Sequence, residues 1–140
     1  MRFSEKGKNP ALEKVKTIVD AAKDAGVNRL IYISHTQAST QSSIEYIRAK
    51  ALAEEYIKSN MDSYGFIRPC AIFGDTANES LLINNIAYIA RKLPLLLVPG
   101  NSDMTYFQPV HVRDLAEMAV NLAFSEKNTF VDAVGPEKFL

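Results

Sequence analysis

The sequence predicts an α/β protein built on a doubly wound parallel sheet in three layers. Three observations carry that reading. Short apolar runs alternate with longer segments whose apolar residues recur at helical spacing. The run Leu30-Ile31-Tyr32-Ile33 is almost continuously apolar, as in a strand buried on both faces of a parallel sheet. Gly and Pro punctuate the chain where one element must give way to the next, at Gly26, Pro69, Pro99-Gly100 and Gly135-Pro136.

The first helix opens at Asn9-Pro10. Asn caps the free N–H groups, and Pro fits the first helical position because its missing N–H had no partner there. Leu12, Val15, Val19 and Ala22 then form one apolar face, and Gly26 ends the helix because it takes a left-handed conformation without a Cβ clash. The first strand follows, then a polar loop from Ser34 to Ser43. A second helix is expected from about Ile44 to Ser59, and a second strand from Ser63 to Pro69. A third helix is expected over about Asn78 to Lys92, with Leu82, Ile86, Ile89 and Leu93 on one face. Leu95 to Val98 is apolar but of no clear type, and Tyr106 to Val110 reads as a short strand. The last helix covers about Val112 to Phe124, with Leu115, Met118, Ala119 and Leu122 inward and Asp114 in the first turn, where a carboxylate favours the helix dipole. Thr129 to Val134 is a final strand.

Composition narrows the function. The 140 residues suit a single domain, 1–140. Lys plus Arg and Asp plus Glu number 16 each, so no net field recruits nucleic acid or an anionic membrane. The longest aliphatic run, Leu93 to Val98, is too short to span a bilayer. The opening MRFSEKGKNP lacks the apolar core of a signal peptide. The single cysteine, Cys70, fits a reducing compartment, and the expected location is cytoplasmic.

Tyr46 and Lys50 carry the chemistry. At i and i+4 they share one helix face. A nearby ammonium favours the phenolate, so Lys50 would pull the Tyr46 hydroxyl down towards use as an acid/base at a carbinol or carbonyl. A hydroxyl past the first strand, Ser34, Thr36 or Ser39, could orient or polarise the same oxygen. The spacing alone is a weak signal, since Tyr88 and Lys92 repeat it. Context separates the two pairs. Tyr46 follows a buried strand that ends in hydroxyl residues, whereas Tyr88 sits beside Ile86 and Ile89 and reads as partly buried packing. His35 and His111 have no partners at metal-ligand spacing, so no metal site is expected. His35 reads as a loop residue, His111 as structural, and Cys70 as a small buried apolar residue. Ser34 is not in a Gly-x-Ser-x-Gly elbow, so serine hydrolase chemistry has no support in the sequence.

Several stretches together carry a family resemblance: Ala25-Gly26-Val27 before a strand; Ile31-Tyr32-Ile33-Ser34-His35-Thr36; Tyr46-Ile47-Arg48-Ala49-Lys50 with Glu54 beyond; Ile67-Arg68-Pro69 with Ile72-Phe73-Gly74; Pro109-Val110-His111-Val112-Arg113-Asp114-Leu115-Ala116; and Val134-Gly135-Pro136-Glu137. In this order the chain resembles the extended and atypical short-chain dehydrogenase/reductases, in particular the NAD-dependent epimerase/dehydratases. Within them it is most like the branch that holds an accessory subunit of respiratory complex I and the NmrA-like proteins. The resemblance implies a Rossmann-like fold binding NAD or NADP. It makes Tyr46 the catalytic acid/base, with Lys50 lowering its pKa and bonding the nicotinamide ribose. Thr36 takes the active-site hydroxyl position, and Ser34 and Pro69 lie at the strand ends beside the nicotinamide.

Two departures qualify that picture. The six glycines are scattered, so no Gly-rich loop cradles a pyrophosphate, and the cofactor site is expected to be incomplete. Ala71 lies near where nucleotide-sugar enzymes keep an Asn. An internal fragment or truncated frame is therefore expected, one that lacks the sheet's N-terminal strands. The main expectation is an NAD(P)-dependent oxidoreductase, epimerase or dehydratase acting on a small molecule. The alternatives are a non-catalytic NAD(P)H-binding structural or sensing protein, and an inactive fragment. A homodimer is expected by analogy alone.

Overall fold

The structure, a computed structural model, describes residues 9–74, 88, 89, 91, 92 and 108–137. Helix α1 (Pro10–Asp24) begins as expected. The Asn9 Oδ1 accepts from the N–H groups of Ala11 and Leu12 at 2.9 and 3.3 Å. Gly26 follows the C-cap Ala25 at φ +70°, where a Cβ would strain the backbone. Strand β1 (Leu30–Ile33), helix α2 (Glu45–Asn60) and strand β2 (Tyr64–Pro69) come next. Two-residue strands β3 (Ile72–Phe73) and β4 (Val110–His111) then pair in parallel. Helix α3 (Val112–Ala123) and strand β5 (Thr129–Ala133) complete the described elements. The expected segments at 78–87 and 95–98 lie outside the described residues.

Strands β1, β2 and β5 form one parallel sheet in that order, with Ile33 opposite Ile67 and Arg68 opposite Asp132. Period-two alternation divides the sheet between two helical layers. Leu30, Tyr32, Tyr64 and Phe66 face α1 and α2 and pack with Val19, Ile57 and Met61. Ile31, Ile67, Val131 and Ala133 face α3 and pack with Leu115, Leu122, Met118 and Ala119. The α/β, three-layer expectation holds, and α3 buries the predicted face.

Polar side chains set the sheet's lower edge. The Arg29 guanidinium donates to the Leu122 carbonyl in the last turn of α3 (3.1 Å), to Ser63 Oγ (2.7 Å) and to the Lys127 carbonyl (2.8 Å). One cation thus satisfies a helix-end carbonyl and ties three segments together. The Asn128 amide accepts from the Tyr64 N–H at 2.9 Å and donates to the Asp62 carbonyl at 2.8 Å, which starts β5 beside β2.

Two expectations about burial need correcting. Ile33 is 42% exposed, so β1 is not buried on both faces along its length. Among the described residues β1 pairs on one side only, and α3 does not reach its last side chain. Tyr88 is 63% exposed rather than packed, and the Lys92 ammonium stands over its ring at 5.7 Å. Strand β3 went unpredicted because two residues carry no readable period.

At Gly135 the backbone passes so close to Pro109 that a Cβ would drive into the Pro109 carbonyl oxygen. Gly135→Ala is expected to lower unfolding stability by roughly 1–3 kcal/mol. Urea denaturation should show a lower midpoint at unchanged slope. Gly26→Ala, with nothing within 4 Å of its added Cβ, should cost only the left-handed strain, about 1 kcal/mol.

Candidate functional site

The site is built where β1 and β2 end. The ladder continues past β1: the Ser34 N–H donates to the Ile67 carbonyl at 2.7 Å, and the Thr36 N–H to the Pro69 carbonyl at 3.2 Å. Ser34, Thr36 and Pro69 are therefore neighbours through the backbone. Ser34 is 3% exposed, and its Oγ has no hydrogen-bond partner among the described residues. A buried hydroxyl without a partner is costly to keep.

The loop to α2 is organised by its own side chains. His35 Nδ1 accepts from the Gln37 N–H (3.0 Å), Ser39 Oγ from the Gln41 N–H (3.3 Å) and Ser42 Oγ from the Ile44 N–H (3.2 Å). Ser39 is thus engaged in a turn, which leaves Ser34 and Thr36 as the hydroxyls at the strand end. Arg48 donates to the Ser42 carbonyl at 2.8 Å and draws the loop onto the first turns of α2.

Helix α2 then presents Tyr46, 57% exposed, and Lys50 one turn on. The Lys50 ammonium donates to the Ile33 carbonyl at 2.7 Å. It stands 4.8 Å from the centre of the Tyr32 ring and 5.7 Å from that of Tyr46. His35 meets Tyr46 edge to face, with ring centres 6.1 Å apart. The structure thus brings Tyr46, Lys50, His35 and the end of β1 together. No hydrogen bond joins Thr36 Oγ1 to Tyr46 among the described contacts. Burial pushes the Lys50 pKa down. Burial, then the neighbouring Tyr46 and Glu54, push the Tyr32 hydroxyl up to about 12, so it stays neutral. Burial and the Lys50 charge lower the His35 imidazole. With Nδ1 accepting, the neutral ring carries its proton on Nε2. Lys50 has two N–H groups beyond the one given to Ile33. An ammonium, a phenol, an imidazole N–H and a buried hydroxyl at a strand end can hold the hydroxyl and carbonyl oxygens of a polar ligand.

Two features of the site went unread in the sequence: Tyr32, the cation's partner ring, and the ion pair between Arg68 and Glu54. Their signal was period: Tyr32 and Ser34 alternate to one face, and Glu54 repeats Lys50 one turn on. His111 proves to cap α3, its Nδ1 accepting from the Arg113 N–H at 3.2 Å. Cys70 is half-buried rather than buried, and its N–H donates to the Ala133 carbonyl at 3.2 Å. The described residues contain no cluster of three or more metal-ligating side chains. A cleft of about 540 Å³ between Lys23, Asn28, Lys58 and Asp62 lies at the far end of α2. At about 1.5 Å per residue, Lys58 is roughly 18 Å along the helix from Tyr46, so this cleft is no part of the site.

No protein-family model matches the chain. Among curated proteins, the mouse (Mus musculus) mitochondrial NADH dehydrogenase (ubiquinone) 1 alpha subcomplex subunit 9 is 37% identical over 106 residues, covering 76% of this chain and 27% of that protein. The Neurospora crassa mitochondrial NADH-ubiquinone oxidoreductase 40 kDa subunit is 24% identical over 131 residues, 91% of this chain and 32% of that protein. Among solved structures, the NAD complex of UDP-glucose 4-epimerase from Thermus thermophilus superposes with a TM-score of 0.69 at 20% identity, over 92% of this chain and 50% of that one. The dTDP-glucose 4,6-dehydratase DesIV from Streptomyces venezuelae, solved with NAD, gives 0.71 at 20%, over 92% and 45%. At 20% identity these solved structures show that the chain has their fold, and the curated relatives show that its sequence is similar to part of mitochondrial NADH dehydrogenase subunits. It spans about a quarter to a third of the length of the curated relatives it matches. Within that fold, the described sheet is a parallel Rossmann-like part. The expectation of a cytoplasmic location is overturned, because the curated relatives are named as mitochondrial proteins. Among the described residues no helix is long and apolar enough to cross a membrane.

The lowered His35 pKa fixes the sign of a pH effect. The unfolded chain binds this proton more readily, so the contribution to stability is full above the ordinary value of 6.5 and is lost as pH falls through the lowered folded value. In an NMR titration the His35 ring resonance should show a midpoint below 6.5, and Lys50→Met should move that midpoint upward. An unmoved midpoint in the variant would show that Lys50 does not act on the ring.

Proposed function

We propose that this chain is the nicotinamide-ribose side of a non-catalytic NAD(P)H-binding fold, in an accessory subunit of a mitochondrial NADH dehydrogenase-type assembly. The observation that carries this reading is the 37% identity, across 76% of the chain, to a mitochondrial NADH dehydrogenase subunit. Its partners are then other polypeptides as well as the cofactor. The site's chemistry fits the cofactor at one end. The unpartnered Ser34 Oγ and the two remaining N–H groups of Lys50 suit a ribose and a carboxamide. None of the described glycines forms a phosphate cradle: Gly26 ends a helix, Gly65 lies within β2, and Gly74 and Gly135 adjoin β3 and β5. When bound, the nicotinamide would supply a hydride-carrying ring. Lys50, Ser34 and the Pro69 strand end would hold its ribose side, and Tyr46 and His35 would close over it.

A second reading has an observation of its own. Tyr46 and Lys50 are both present, with the ammonium 5.7 Å from the phenol ring. That juxtaposition supports an oxidoreductase, epimerase or dehydratase in which Tyr46 is the acid/base and Thr36 polarises the substrate oxygen.

Calorimetric titration with NADPH and NADH separates the two when paired with a panel of carbonyl and nucleotide-sugar substrates. Binding without turnover is expected. Lys50→Met should weaken binding about tenfold or more, as loss of a charge-assisted hydrogen bond does. Tyr46→Phe should leave affinity nearly unchanged. Turnover abolished by Tyr46→Phe would replace this reading with the catalytic one, and absence of binding to either nucleotide would defeat both.

A further inference from the structure

Helix α2 meets the sheet in two ways. Its C-terminal half is held by shape, with Ile57 and Met61 locked among Val19 and Phe66. Its N-terminal half, which carries Tyr46 and Lys50, buries Ile47 and the three alanines Ala49, Ala51 and Ala53. Methyl groups interlock poorly, so alanine contacts leave the roll of a helix loosely defined. The N-cap, Ile44, adds no side-chain hydrogen bond. Polar anchors add to the phase: Asn9 Nδ2 donates to Glu45 Oε1 at 3.0 Å and the Tyr56 hydroxyl to Asp20 at 2.6 Å on the α1 side, and two anchors one turn apart reach the strands. Lys50 reaches the Ile33 carbonyl. Glu54 accepts from Arg68 through both oxygens, at 3.0 Å from Nε and 2.6 Å from Nη2. The Glu54 side chain is 4% exposed and that of Arg68 22%. The Phe130 ring lies 4.6 Å from the Arg68 guanidinium carbon, and Asp132 adds its charge from β5. A planar fork on a planar carboxylate fixes orientation as well as distance.

We infer that Arg68 is a positioning residue: through Glu54 it sets the roll of α2 and so holds the Lys50 ammonium on the Ile33 carbonyl, with Tyr46 beside it. The inference rests on the cofactor reading for its purpose, but the placement of Lys50 is measurable without any cofactor. Among the described hydrogen bonds Arg68 joins neither Tyr46 nor Lys50. It acts from the middle strand, because β2 is the element whose C-terminal end faces α2 at the level of Glu54.

Replacing a buried ion pair by apolar residues of similar volume is often neutral for stability. The double variant Glu54→Leu/Arg68→Met therefore separates position from stability. The reporter is solvent exchange of the Lys50 ammonium protons, followed by nitrogen-15 NMR against the exposed Lys14 and Lys58. In the native chain the Lys50 protons should exchange about tenfold more slowly than the references, as expected for a charge-assisted hydrogen bond. In the double variant, unfolding at the native temperature, they should exchange as fast as the references. Arg68→Lys keeps the charge without the fork and should give a partial rise. Slow exchange that persists in the folded double variant would overturn the inference. A double variant that no longer unfolds cooperatively would overturn it too, because the pair would then serve stability. NADPH titration of the native chain, run alongside, tests the cofactor reading separately.

Discussion

The bidentate pair between Arg68 and Glu54 is the contact on which the relation of helix to sheet depends. Taking both charges out of water costs several kcal/mol for each, and their attraction roughly offsets that cost. The pair therefore adds little net stability, but it cannot be halved without leaving a buried charge alone. What it supplies is direction. A carboxylate on α2 and a guanidinium on β2 meet in one geometry, and that geometry fixes which way the helix turns Lys50 and Tyr46.

Everything at the site follows from the parallel arrangement of β1, β2 and β5. Parallel strands bring their C-terminal ends to one edge, where loops and helix starts converge. Here that edge holds Ser34, Thr36 and Pro69 on backbone hydrogen bonds, and α2 descends from the same edge. The Lys50 ammonium closes the arrangement by bonding the last carbonyl of β1. It occupies a place between two phenol rings where an uncharged residue would gain little.

Much of the fold was legible because its signals are local. Asn9-Pro10 and Gly26 mark the ends of α1 through backbone chemistry that needs no distant partner. Leu115, Met118, Ala119 and Leu122 show the buried face of α3 by spacing alone. The pairing of Tyr46 with Lys50 was equally local, since four residues on a helix are neighbours by construction. The exposure of Tyr88 was not, because a helical face does not say whether anything packs against it. Ile33 is the same case, since a strand that reads as apolar can still end beyond the reach of its covering helix.

By itself, then, the sequence determined the fold class, most of the described elements and the Tyr46–Lys50 face. Each of these depends on residues within a few positions of one another, or on motifs in a fixed order. Only the tertiary structure decided that Ser34 Oγ is buried without a partner, that Lys50 spends one N–H on Ile33, and that Arg68 grips Glu54 from another element. Those facts belong to the register between β1 and β2 and to the seating of α2 on the sheet, where residues 14 to 17 positions apart meet. Such contacts have no period along the chain, because they arise only when strands and helix are placed in space.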